Sequence, residues 1–145
     1  MSIHTKAWSM IKWKFMKRRL GYDQREMRQF RADPRNGEIL SKAPGIINKR
    51  IIAEVIASHG CKSRHGIGDK FYFDGFGNLL TDLGPGKICI YALDAITPQI
   101  FCANELLNAG VDPNTMKFKR AACFDVGLEC GGWGRVVMEI SVVDD

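Results

Sequence analysis

Val136, Met138, Ile140 and Val142 alternate with Glu139 and Ser141 near the end of the chain. Alternation at period two puts successive side chains on opposite faces of a strand, so this segment needs a sheet with one face covered. Lys70–Asp74 repeats the pattern over a shorter run, with Phe71 and Phe73 on one face and Tyr72 on the other. The stretch 50–58 is β-branched and suits a further strand. These strands are separated by a segment of different character. Residues 88–110 carry a helical pattern in which Ile100, Ala103, Leu106 and Leu107 share a face, and Gly110 supplies a stop. Thr97-Pro98 predicts a break inside that helix, with Thr97 as a cap and Pro98 at a first helical position. Cys102, beside Ile100 and Ala103, is expected in the core. A last strand is expected over 116–124, before a glycine-rich connection leading into 135–143.

These elements predict an α+β body over 49–145: a small twisted sheet or partial β-barrel with an inserted two-part helix. A length of 145 residues suits one ordinary domain, and an apolar fraction of 46% suits a globular chain. Residues 5–20 predict a helix whose apolar residues fall on two stripes, one holding Trp8, Ile11 and Phe15, the other Trp13, Met16 and Leu20. Pro34, Gly37, Pro44 and Gly45 mark 31–48 as a turn-rich linker. The segment 1–48 is therefore expected to be a basic N-terminal arm and linker lying along another chain, with no compact fold of its own.

Charge separates the same two segments. Residues 1–50 hold 13 Lys/Arg and 4 Asp/Glu, a net +9, whereas residues 51–145 hold 8 and 12, a net −4. A basic arm attracts RNA, an anionic membrane or an acidic protein surface. The interleaved aromatics favour docking to a larger protein subunit through Trp8, Trp13 and Phe15. RNA contact is the alternative, although no RNA-binding signature is present. Trp133, at a glycine-rich tip, is a further candidate contact residue. No apolar run approaches the ~20 residues that span a bilayer, so no transmembrane segment is expected. Lysines and arginines interrupt every candidate signal-peptide stretch. The expected compartment is the cytoplasm, where the five cysteines would stay reduced.

The most chemically suggestive run is Cys61-Lys62-Ser63-Arg64-His65-Gly66-Ile67-Gly68-Asp69. A thiol and an imidazole four residues apart in a tight loop can both reach one metal ion. The bland alternative is a buried small thiol beside a histidine held by a backbone bond. An enzymatic alternative has Cys61 as nucleophile, His65 as base and Asp69 as orienter, but a single short loop seldom aligns such a triad. No phosphate-binding loop or dinucleotide fingerprint is present.

The run C-K-S-R-H-G-I-G-D-K-F, followed by K-I-C-I-Y-A-L-D-A-I-T-P-Q-I, resembles an uncharacterised family of short prokaryotic proteins. Its members carry a C-x-x-x-H-x-x-G-D-x-F loop, a C-P-Y-A-L-like helix start and a late C-P-D-P-like strand end. The resemblance covers about residues 50–143. It implies recurrent polar positions at Cys61, His65, Asp69, Cys89 and Cys123. Ile90 stands where the family has proline, and Phe124–Cys130 replaces its proline-rich turn. Taken together, Cys61, His65, Cys89 and Cys123 would make a Cys3His site for structural zinc or an iron–sulfur cluster, and the alternative is that the thiols line the core separately. The expected function is an accessory, non-catalytic small subunit of a larger metabolic enzyme complex. The alternatives are a small stand-alone Cys/His enzyme and an RNA-associated module.

Overall fold

The computed structural model describes residues 3–145, with side chains from residue 11 onward. The chain forms two compact units, divided between Ala43 and Pro44.

The first unit is helical. α1 (Ile3–Leu20) ends with Lys17, Arg18 and Arg19, whose charge suits a helix C-terminus. Gly21, at positive φ, turns the chain toward α2 (Gln24–Ala32). A capping box starts α2: Asp23 accepts the Glu26 amide at 2.8 Å, and Glu26 accepts the Asp23 amide at 2.7 Å. The expected linker is absent, and most of 31–48 is instead α3 (Pro34–Ile47). Asp33 accepts the Arg35 amide at 3.0 Å, and Pro34 occupies the first helical position, where no amide hydrogen is required. Pro44 lies inside this helix. Trp13 meets Phe30 edge-on at 6.0 Å, with the Arg31 guanidinium 5.3 Å from its ring, and Phe30 meets Tyr22 at 5.8 Å. Aromatic packing within the unit therefore engages Trp13, whereas Phe15 is exposed. The Trp8 side chain lies outside the described residues.

The second unit is α+β. Its sheet comprises β1 (Lys49–His59), β2 (Lys70–Asp74), β3 (Arg120–Ala122) and β4 (Arg135–Asp144) in the order β2-β1-β4-β3. All pairings are antiparallel and the sheet is open. The alternating residues occupy one buried face: Ile51, Ala53 and Val55 of β1, Phe71 and Phe73 of β2, and Val136, Met138, Ile140 and Val142 of β4. α4 (Ile90–Ala109) contributes Ala92, Ile96, Ile100, Ala103 and Leu107 to the same core. The helix expected in two parts is one element with Pro98 inside it. Thr97 does not cap a new helix, because its hydroxyl donates to the Leu93 carbonyl at 2.9 Å. Cys102 is exposed rather than buried, because the core-facing positions of α4 recur around Ile100 and Ala103 and leave it outside their stripe.

Two features of the sheet place the site. β1 carries an irregularity between Val55 and Ala57, where the following loop folds back: the Val55 amide donates to Asp69 O at 2.8 Å, and the Gly68 amide to Val55 O at 2.9 Å. Gly60 and Gly134 meet backbone to backbone at the ends of β1 and β4. A Cβ on Gly134 would stand 2.2 Å from Gly60 C and O, so only glycine lets the two loops meet.

Candidate thiol site

Three segments converge at this end of the sheet and line an open cavity of about 370 Å³. The loop after β1 contributes Cys61, Lys62 and Ser63, the start of α4 contributes Cys89 and Tyr91, and the connection from β3 with the start of β4 contributes Cys123 through Val126 and Gly132 through Val136. Three thiols far apart in sequence thus line one cavity.

His65 belongs to the same loop but lies behind the wall, 4% exposed. Its Nε2 accepts the Cys89 backbone amide at 3.2 Å. That nitrogen is therefore unprotonated, and the ring proton sits on Nδ1, which faces Asp69 Oδ2 at 3.4 Å. The ring meets Phe71 edge-on at 5.2 Å, and the His65 carbonyl accepts the Ser58 hydroxyl at 2.6 Å. Asp69 also accepts the Gly66 amide at 3.0 Å, closing the loop on itself. His65 thus acts on the backbone of Cys89 and aims no free lone pair at a sulfur.

Cys89 is the N-cap residue of α4, a helix of 20 residues. Its thiol is held below the ordinary cysteine range. Burial pushes it up, but the Ser63 hydroxyl, the backbone amides of Ala92 and Tyr91, and the Lys62 charge together outweigh burial. Cys89 also lines the cavity, beside Lys62, Ser63 and Tyr91. A lowered thiol is the one more readily converted to the nucleophilic thiolate.

Cys123 is committed to backbone: its sulfur accepts the Val136 amide at 3.3 Å and faces the Asp125 carbonyl at 3.9 Å. Asp125 shapes the remaining wall. Its Oδ1 accepts the amides of Gly127 and Trp133, each at 3.0 Å. The Gly127 amide, against the effect of burial and with help from the amides of Gly134 and Trp133 and the Lys62 charge, holds this carboxyl below the usual range. A Cβ on Gly132 would lie 2.1 Å from Asp125 Oδ1, which explains the small residue there. At the mouth, the Lys62 ammonium sits 5.6 Å from the Tyr91 ring and 5.9 Å from the Trp133 ring. Trp133 itself is 74% exposed.

The donors expected for a metal separate into two groups. Cys61, Cys89 and Cys123 share the cavity, whereas His65 is spent on an amide. Among the described residues, no three His, Cys, Asp or Glu side chains are spaced to hold a metal ion. As arranged, these residues do not present a four-ligand zinc or iron–sulfur site. The Cys61–His65–Asp69 triad is likewise not assembled, because the imidazole is turned to Cys89. Sequence reasoning missed Lys62, Ser63, Tyr91 and Asp125. The available signal was position, since Lys62 and Ser63 follow Cys61 directly and Cys89 immediately precedes a helix.

No family model matches the chain, and no curated protein matches it. Among solved structures, a xanthine dehydrogenase from Bacillus halodurans is similar at 16% identity and a TM-score of 0.41, over 74% of this chain. The chain spans 30% of that protein's length. Among the described residues, no helix is long and apolar enough to cross a membrane.

Proposed function

We propose that the cavity is a thiol-dependent site in which the Cys89 thiolate attacks an electrophilic sulfur or carbon and holds it covalently. The observation that carries this reading is the placement of Cys89: a partly buried sulfur at a helix start, facing a cavity, beside a hydroxyl and an ammonium that favour its charged form. Lys62, Tyr91 and Trp133 form the mouth through which a substrate enters. His65 holds the Cys89 backbone in place and leaves the sulfur free. The test is alkylation of the full chain by iodoacetamide across pH, read by peptide mass spectrometry. Cys89 should label with a midpoint below that of the exposed Cys102, and Ser63→Ala should raise its midpoint toward the ordinary range. Equal midpoints for Cys89 and Cys102 would remove the basis for this reading.

The exposed side chains along the β3–β4 connection support a second role, as the small subunit of a larger enzyme complex. Phe124, Val126, Leu128 and Trp133 all present apolar surface there, more than scattered exposed residues require. In this reading the partner docks on the rim and brings the substrate to Cys89. Trp133→Ala should abolish co-purification of the partner without changing the alkylation midpoint of Cys89. Undiminished co-purification would count against the rim as the docking surface.

A further inference from the structure

Three thiols lining one cavity raise a question that a single nucleophile does not: what removes the adduct once it forms on Cys89? The candidates are Cys61 and Cys123, because the other two cysteines, Cys102 and Cys130, are exposed and do not line the cavity. Cys123 is poorly suited. Its sulfur takes the Val136 amide and faces a carbonyl, at the point where β3 ends and its backbone still pairs with β4 through the Cys123 amide and Val136 O at 2.9 Å. Turning it to Cys89 would forfeit the Val136 amide that its sulfur accepts. Cys61 is differently placed. It opens the turn closed by the Arg64 amide on the Cys61 carbonyl at 2.9 Å, and the loop that continues from this turn holds the Cys89 amide through His65 Nε2 at 3.2 Å, with Cys61 and Cys89 lining the same cavity. The turn is flanked by Gly60, at positive φ, and by Gly66, around which there is open space. The loop that touches Cys89 thus carries its own second thiol.

We infer that Cys61 is the resolving thiol for Cys89 and that the pair exchanges two electrons with a disulfide substrate. This rests on the reading of Cys89 as the attacking thiolate. The Cys89 thiolate attacks one sulfur of R–S–S–R′, the S–S bond breaks, and R′S⁻ leaves and takes a proton from water. The Cys61 thiol gives its proton to water and attacks the Cys89 sulfur. RS⁻ leaves and is protonated in turn, and a Cys61–Cys89 disulfide forms. The substrate gains two electrons and two protons, and the protein loses two hydrogens. An external dithiol of lower potential restores the starting state.

The test uses the reduced full chain and oxidised glutathione as the probe. In the wild type, intact mass should fall by two hydrogens, and peptide mapping should join the Cys61 and Cys89 peptides. Cys61→Ser should instead accumulate glutathione on Cys89, with the mixed disulfide outliving the wild-type adduct by at least about 10-fold, because no internal thiol can displace it. Cys123→Ser should cross-link like the wild type. A Cys89–Cys123 cross-link, or a wild-type mixed disulfide as persistent as that of Cys61→Ser, would overturn the inference. Iodoacetamide labelling in parallel separates the two failures. A Cys89 that alkylates early but never cross-links sinks this inference alone, whereas a Cys89 that also alkylates no earlier than Cys102 sinks the nucleophile reading with it.

Discussion

Replacing His65 tests the arrangement behind the cavity, because its Nε2 is the acceptor that holds the Cys89 amide. Its Nε2 accepts the Cys89 amide at 3.2 Å from a buried position. His65→Leu keeps much of the volume and the contact with Phe71 but removes the acceptor. A buried donor left unpaired costs ~1–3 kcal/mol, and a 3.2 Å bond, at the long end of the usual range, argues for the lower half. Loss of part of the edge-on contact with Phe71 adds up to ~1 kcal/mol. Asp69 needs no replacement partner, because it still accepts the Gly66 amide. The total is about 2 kcal/mol, which for a unit of roughly 100 residues lowers the melting temperature by about 8–16 °C. His65→Gln can return an oxygen to the position of Nε2 and should recover about half of that loss. The assay is thermal unfolding of the full chain, followed through the transition of the second unit. Equal losses in the two variants would show that the acceptor is not what matters. If added zinc raised the melting temperature of the wild type but not of His65→Leu, the ring would be a metal ligand and its assignment to the Cys89 amide would be wrong.

β1, β2 and β4 were legible because each keeps one face buried at alternating positions. The alternation of Val136, Met138, Ile140 and Val142 survives in the structure as four buried positions of β4. β3 is shorter than expected because only Arg120–Ala122 pair with β4. Pro34 and Pro98 both lie within helices, for different reasons. Pro34 stands at a helix start, where it costs little. Pro98 lies in α4 between core residues Ile96 and Ile100, and packing on both sides carries the helix past it. The thiol site was only half legible. The resemblance to a family with recurrent thiols is what grouped Cys61, Cys89 and Cys123, and these line one cavity. The role of each depends on loop geometry that no spacing encodes. His65 turns to the Cys89 amide because the loop folds back on the β1 irregularity, which appears only once β1 has paired with β4.

Three further substitutions test the walls of the cavity and the loop beside it. Gly134→Ala places a Cβ 2.2 Å from the Gly60 backbone, which cannot yield as a side chain can, so the loss should exceed the ~1 kcal/mol of a typical point mutation. The Cys89 labelling midpoint should rise with it, whereas Gly66→Ala, with nothing within 4 Å of the added Cβ, should leave that midpoint unchanged. A Gly134→Ala chain with wild-type stability and labelling would mean the two loops need not meet. Asp125→Asn isolates the charge that holds the β3–β4 connection. The Asp125 carboxyl lies below the usual range when folded, so the unfolded chain binds its proton more readily. Its contribution is therefore fully present above the ordinary carboxylate value of ~3.9 and is lost as pH falls through the lower folded value. The wild type should be more stable than Asp125→Asn at neutral pH, and the gap should close as pH falls below about 4. Urea unfolding at a series of pH values reads that gap directly. Asparagine can still accept the Gly127 and Trp133 amides through its side-chain oxygen, so whatever gap remains in acid measures geometry and what disappears measures charge. A gap that stays constant or widens in acid would show that the charge on Asp125 does not stabilise this wall.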